Sequence, residues 1–270
     1  MTLDPQIVYT AIPGRMMQLV TAGPDGSGQA IITAETQTNL EPTYSPDGSR
    51  ILFTSWRDGD ANIWVMDRDG SNARGLTADT ANDRSARFSP DGGRIAFVSQ
   101  REGPYDIYLM NADGTDVTNL TNSPGSVDWE PRWSPDGTRI LYTSTRGESG
   151  IGDEFSLWIA HLDGSGFTRL PVDGGVRWPA WSPDGARIAF VSTRSGDDEI
   201  WVMNADGTGQ ANITNTPGVD DEPFWTPDGR ILFTSDRAGA PDIYVMGADG
   251  SNVVRLTTSD HWVGMPSWSP

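Results

Sequence analysis

Residues 41–77 read EPTYSPDGSRILFTSWRDGDANIWVMDRDGSNARGLT, and the same stretch recurs along the chain. Its first landmark, SPDG at Ser45–Gly48, returns at Ser89, Ser134 and Ser182, as TPDG at Thr226, and as a further copy beginning at Ser269. The starts lie 44, 45, 48, 44 and 43 residues apart. That period is the length of a four-stranded propeller blade, not of a helical repeat. Inside one period EPTYS, RILFTS, NIWVM and ARGLT read as strands A to D, because β-branched and aromatic residues favour a pleated, half-buried surface. Pro-Asp-Gly and Asp-Gly between them mark tight turns.

Six periods imply six blades, and the ends explain the sixth. The chain finishes with MPSWSP, which matches a strand A, while residues 4–11, DPQIVYTA, align with the DGRILFTS of a strand B. One C-terminal strand is therefore expected to pair with three N-terminal ones, closing the ring and removing the free sheet edge. The expected fold is all-β: one domain over 1–270, a six-bladed β-propeller of four-stranded antiparallel blades. The blades fall near 38–77, 82–121, 127–171, 175–214, 219–257, and 262–270 plus 4–33.

The [ST]-P-D-G turn, the RI-x-F-x-S strand and the I-[WY]-V-M-x-A-D-G hairpin resemble the TolB-type propeller repeat, and the resemblance covers essentially all 270 residues. It implies a periplasmic or extracellular protein that binds a protein or peptide, such as a peptidoglycan-associated lipoprotein. Similar blades occur in protease propeller domains, so the resemblance speaks more to fold than to function.

Composition narrows the chemistry. Asp and Glu number 37 against 19 basic residues, all of them Arg, for a formal net charge of -18. A surface of that sign disfavours nucleic acid. The absence of Cys excludes disulfides, thiolate catalysis and Cys-based zinc sites. His161 and His261 are the two histidines. No apolar run approaches a membrane span, and the opening MTLDPQIVYT has neither the basic nor the apolar region of a signal peptide. The expectation is a monomeric, soluble chain without an export signal of its own.

In a repeat protein, residues present in every blade serve the blade, and functional residues break the pattern. Arg57, Arg101, Arg146, Arg194 and Arg237 all follow strand B and read as structural. So do the turn aspartates, and the aromatics at the strand-A and strand-C positions read as inter-blade packing. The B-to-C and D-to-A loops should share one face, and four tryptophans outside the repeat, Trp56, Trp129, Trp178 and Trp262, fall on it. Acidic residues gather there too, including Glu35, Glu41, Asp128, Glu130, Asp221, Glu222, Glu148 and Asp153, opposed by Arg84, Arg177 and His261.

Where strand A begins, the six blades read Glu41, Ser85, Glu130, Trp178, Glu222 and Met265, with glutamate in alternate blades. Three carboxylates about 8 Å apart would repel by roughly 2 kcal/mol per pair at an effective dielectric of 20. Arg84 and Arg177, a calcium ion held by Glu41, Glu130 and Glu222, a basic partner group, or solvent would offset that. The expected binding surface comprises Glu41, Arg84, Trp129, Glu130, Arg177, Trp178, Asp221, Glu222, His261 and Trp262. These features favour a non-catalytic protein-interaction module. The alternatives are a calcium-assisted hydrolase, lactonase-like or phosphotriesterase-like, working in the channel, and a stand-alone or engineered scaffold. A serine hydrolase is disfavoured because no G-x-S-x-G elbow is present.

Overall fold

The computed structural model describes residues 4–34, 36–146 and 154–269; Glu35, Glu148 and Asp153 lie outside them. Among the described residues, twenty-four strands form six four-stranded antiparallel sheets arranged as blades of a ring. Blade I runs Asn39–Tyr44, Arg50–Ser55, Asn62–Asp67 and Arg74–Gly75. Blades II to V begin with strands A at Asp83–Phe88, Asp128–Trp133, Val176–Trp181 and Asp220–Trp225.

Blade VI closes the ring as the ends of the chain require. Its strand A, Val263–Trp268, pairs with Ile7–Ala11, followed by Gln18–Ala22 and Ala30–Ile31. The register sets Ile7 opposite Trp268 and Ala11 opposite Val263. The Ser269 amide donates to the Gln6 carbonyl and the Gln6 amide to Ser269 Oγ, both at 2.8 Å, extending the seam.

Each turn is built by its own side chains. In the first, Ser45 Oγ donates to Asp47 Oδ1 (2.5 Å) and accepts the Arg50 amide (2.9 Å), while Asp47 Oδ1 also accepts the Ser49 amide. Gly48 takes a positive φ of 68°, which glycine adopts without a Cβ clash. Strand D is short because a threonine hydroxyl replaces the backbone at its end: Thr77 accepts the Ile63 amide, and Thr121, Thr214 and Thr257 repeat the contact.

The core is divided among the blade interfaces. Leu141, Leu157 and Ile159 of blade III pack on Trp181, Ile188 and Phe190 of blade IV. Equivalent clusters fill the other five interfaces, including that between blades VI and I, where Val8 and Leu19 meet Tyr44, Ile51 and Phe53. Strand directions put the B-to-C and D-to-A loops on one face and both sets of Asp-Gly turns on the other.

Candidate functional site

Every strand A carries a register shift where it begins, between Leu40 and Thr43 in blade I and at matching points in the other five. The residue responsible has a left-handed backbone: Glu41 (φ 58°), Ser85 (54°), Glu130 (57°), Trp178 (52°), Glu222 (56°) and Met265 (55°). These are the six positions at which the sequence alternates glutamate with other residues. A bulge leaves an amide without its ladder partner, and the glutamates supply one. Glu41 accepts the Ser85 amide at 2.9 Å, Glu130 accepts the Trp178 amide at 2.7 Å, and Glu222 accepts the Met265 amide. Each carboxylate thus ties its own blade to the next.

A threonine of the same blade's strand B completes each clamp: Thr54 to Glu41 (2.7 Å), Thr143 to Glu130 (3.2 Å) and Thr234 to Glu222 (2.7 Å). The sequence carries part of this signal: blades II and IV, which lack the glutamate, have Val98 and Val191 in place of the threonine, whereas blade VI keeps Thr10 beside Met265. The three glutamates are buried and not gathered together. Among the described residues no three His, Asp or Glu side chains are grouped as metal ligands. Burial pushes Glu130 up to about 7, with Asp221 adding to the rise, and raises Glu222 for the same two reasons.

The loop face above the clamps holds the remaining expected site residues, in two groups. Across blades I to III, the Arg84 guanidinium lies over Trp56 (5.2 Å) and Trp129 (5.6 Å), with 3.6 Å to Glu41. Tyr105 meets Trp129 edge-on at 4.4 Å. At blades V and VI, Trp262, Asp221 and Glu222 line a hollow of about 160 Å³ together with Val219, Asp236 and Pro241. Gly264 makes this possible, because a Cβ there would stand 2.6 Å from both Glu222 Oε2 and the Trp262 ring. Burial pushes Asp221 up to about 6, although Arg177 at 3.7 Å opposes the rise. Arg177 also pairs with Asp198, and His261 pairs with exposed Asp260 at 2.9 Å. Trp178 is half-buried between the two groups.

The arginines that follow strand B are structural, as expected. Arg101 forks onto Asp83 (3.1 and 3.0 Å) and lies over Tyr108 (5.0 Å); Arg237 bonds Asp220 (2.8 Å) and lies over Tyr244 (5.3 Å).

The larger opening is on the other face. Below the clamps the channel narrows to a cavity of about 20 Å³, room for one water. It then widens to a funnel of about 420 Å³ among the Asp-Gly turns. The strand-A aromatics Tyr44, Phe88, Trp133, Trp181, Trp225 and Trp268 line this funnel as well as packing between blades. Arg87 and Arg132 border both spaces. They break the repeat at a position occupied elsewhere by Thr43, Ala180, Phe224 and Ser267, so the internal comparison of blades could have found them.

The sequence pattern of the family described as TolB beta propeller domain matches residues 25–178 and 156–270. The Tol-Pal system protein TolB of Anaeromyxobacter dehalogenans strain 2CP-C is 33% identical over 180 residues, 65% of this chain and 30% of that protein. The chain therefore matches less than a third of that relative's length. Among solved structures, TolB from Acinetobacter baumannii superposes with a TM-score of 0.86 over 98% of this chain and 66% of its own, at 23% identity. The tricorn protease superposes at 0.73 over 96% of this chain and 27% of its own, at 19% identity. These last two likenesses show the shared ring and nothing of chemistry.

Proposed function

The chain belongs to the TolB β-propeller domain family, and from that premise we propose that it is a non-catalytic module that docks a protein partner on its loop face. The observation that carries this reading is the hollow beside Trp262. An aromatic wall beside Asp221 and Asp236 suits a lysine or arginine of a partner, whose stem packs on the indole while its charge meets these two carboxylates. The Trp56–Arg84–Trp129 group supplies a second aromatic anchor, of the type that concentrates binding energy in interfaces. The net charge of -18 favours rapid encounter with basic segments.

The glutamates that a channel enzyme would need as bases or metal ligands are engaged in blade-to-blade clamps, which supports a binding role over a hydrolytic one. A relative belonging to a Tol-Pal system makes a peptidoglycan-associated lipoprotein the first partner to try, with periplasmic placement part of the same proposal. The test is calorimetric titration with the soluble domain of such a lipoprotein. Trp262→Ala and Asp221→Asn should each weaken binding about tenfold, and raising the salt from 50 to 500 mM should weaken it further. Unchanged affinity in both variants contradicts the face, and no binding contradicts the partner.

A further inference from the structure

The turn-face funnel is chemically unlike the rest of the molecule. The chain carries 37 acidic residues, yet none of the residues lining this space is acidic. Its aromatic wall ends at a floor made by Arg87 and Arg132, at equivalent positions of neighbouring blades.

Both guanidiniums are under-used. Arg87 donates to the Ala86 carbonyl (2.8 Å) and Arg132 to the Pro131 carbonyl (3.2 Å). No described carboxylate forms an ion pair with either. A guanidinium has five N–H groups, so most of theirs have no protein acceptor among the described residues. The two charges also repel: burial and the proximity of Arg132 push Arg87 down to about 9. Glu41 and Glu130 offset this from beyond ion-pair range.

The rim does not cancel the floor. Its turn aspartates are matched by strand-B arginines, as Arg139 with Asp136 (3.6 Å) and Arg230 with Asp228 (2.8 Å). Those arginines lie over the wall aromatics of the next blade, Arg94 over Trp133 (4.9 Å) and Arg187 over Trp225 (4.8 Å). Of the residues lining the funnel only Arg87 and Arg132 carry a charge, with Glu41, Glu130 and Glu222 buried behind them.

The geometry points to a site for the C-terminal end of a peptide chain, with its terminal carboxylate held by Arg87 and Arg132 and its last apolar side chains packed on the aromatic wall. Two guanidiniums present planar, paired donors suited to a carboxylate. A funnel of about 420 Å³ accommodates two or three residues, and its wide mouth lets the chain continue outward. This site is at the opposite end of the channel from the loop-face hollow and does not depend on the partner proposed there.

The probes are N-acetyl-Phe-Phe with a free carboxyl, the same dipeptide as its C-terminal amide, and sodium acetate, titrated to 10 mM while tryptophan fluorescence is followed. The free acid should bind at least about tenfold more tightly than the amide, as expected from charge-assisted hydrogen bonds. Arg87→Gln and Arg132→Gln should each abolish that preference while leaving the weak, amide-like binding. Equal binding of acid and amide, no binding of the acid, or acetate binding as tightly as the dipeptide overturns the proposal. Should either variant fail to fold, the acid-to-amide ratio on the unaltered protein decides.

Discussion

At single residues, the chain shows how burial converts a charge into a clamp. Glu130 ionises near 7 in the folded protein and near its ordinary 4.5 unfolded, so between those values the folded state holds more protons. Stability then falls as pH rises from about 4.5 to 7, and the raised Glu222 and Asp221 add the same sign. The turn aspartates, Asp136 lowered to about 2 among them, act oppositely, and their contribution is lost as pH falls below the ordinary aspartate range. Thermal melts should therefore peak between about pH 4 and 4.5 and decline toward pH 8; a maximum at pH 8 would contradict the assignment. Glu130→Gln keeps an acceptor for the Trp178 amide and removes the buried charge, so it should raise Tm at pH 8 by about 2–4 °C, near 1 kcal/mol for a chain of this size. Glu130→Ala leaves that amide unsatisfied and should cost about 1–3 kcal/mol. The glutamates were legible as an alternating set, but their role was hidden. Reading their column alone suggests a metal or a partner; Thr54, Thr143 and Thr234 beside it hint at the clamp, although Thr10 occupies the same position in blade VI without a glutamate.

Among the elements, the turns were the most legible feature, because Ser-Pro-Asp-Gly fixes its own hydrogen bonds regardless of tertiary surroundings. Less legible was what the second set of turns touches. Gly250 has a φ of 81°, and a Cβ on it would stand 2.1 Å from the Ile213 carbonyl oxygen of the preceding blade; Gly70 meets Ile32 in the same way at 2.5 Å. Those glycines serve the blade interface as well as the turn. Gly59, with a φ of 104°, has open space around it. Gly250→Ala should cost more than Gly59→Ala, which carries only the backbone strain of about 1–3 kcal/mol. Denaturation midpoints compare them directly, and equal losses would show that the contact is immaterial. The bulge in strand A escaped the sequence for a different reason. Alternation of residue types predicts a strand and its faces, but a left-handed residue inserted within it changes register without changing composition.

In the whole molecule, ring closure was legible because both ends of the chain are fragments of one repeat. A chain ending at residue 261 would lose the strand that pairs with Ile7–Ala11, exposing that edge and opening the last interface cluster. It should unfold well below the full chain and associate on concentration, as calorimetry and light scattering would record; an unchanged melting temperature would contradict closure by this strand. The ranking of faces was less legible. Extra tryptophans and acidic residues drew attention to the loop face, while the wider opening at the turns was concealed by aromatics that repeat in every blade and therefore read as packing. The central claim is that a protein partner docks on the loop face, and amide hydrogen exchange with the soluble domain of a peptidoglycan-associated lipoprotein tests it most directly. Protection is predicted in the loops around Val219–Glu222, Asp236 and Asp260–Val263, with the Ser-Pro-Asp-Gly turns unchanged. Protection confined to those turns, with the loops exchanging as in the free protein, would contradict it.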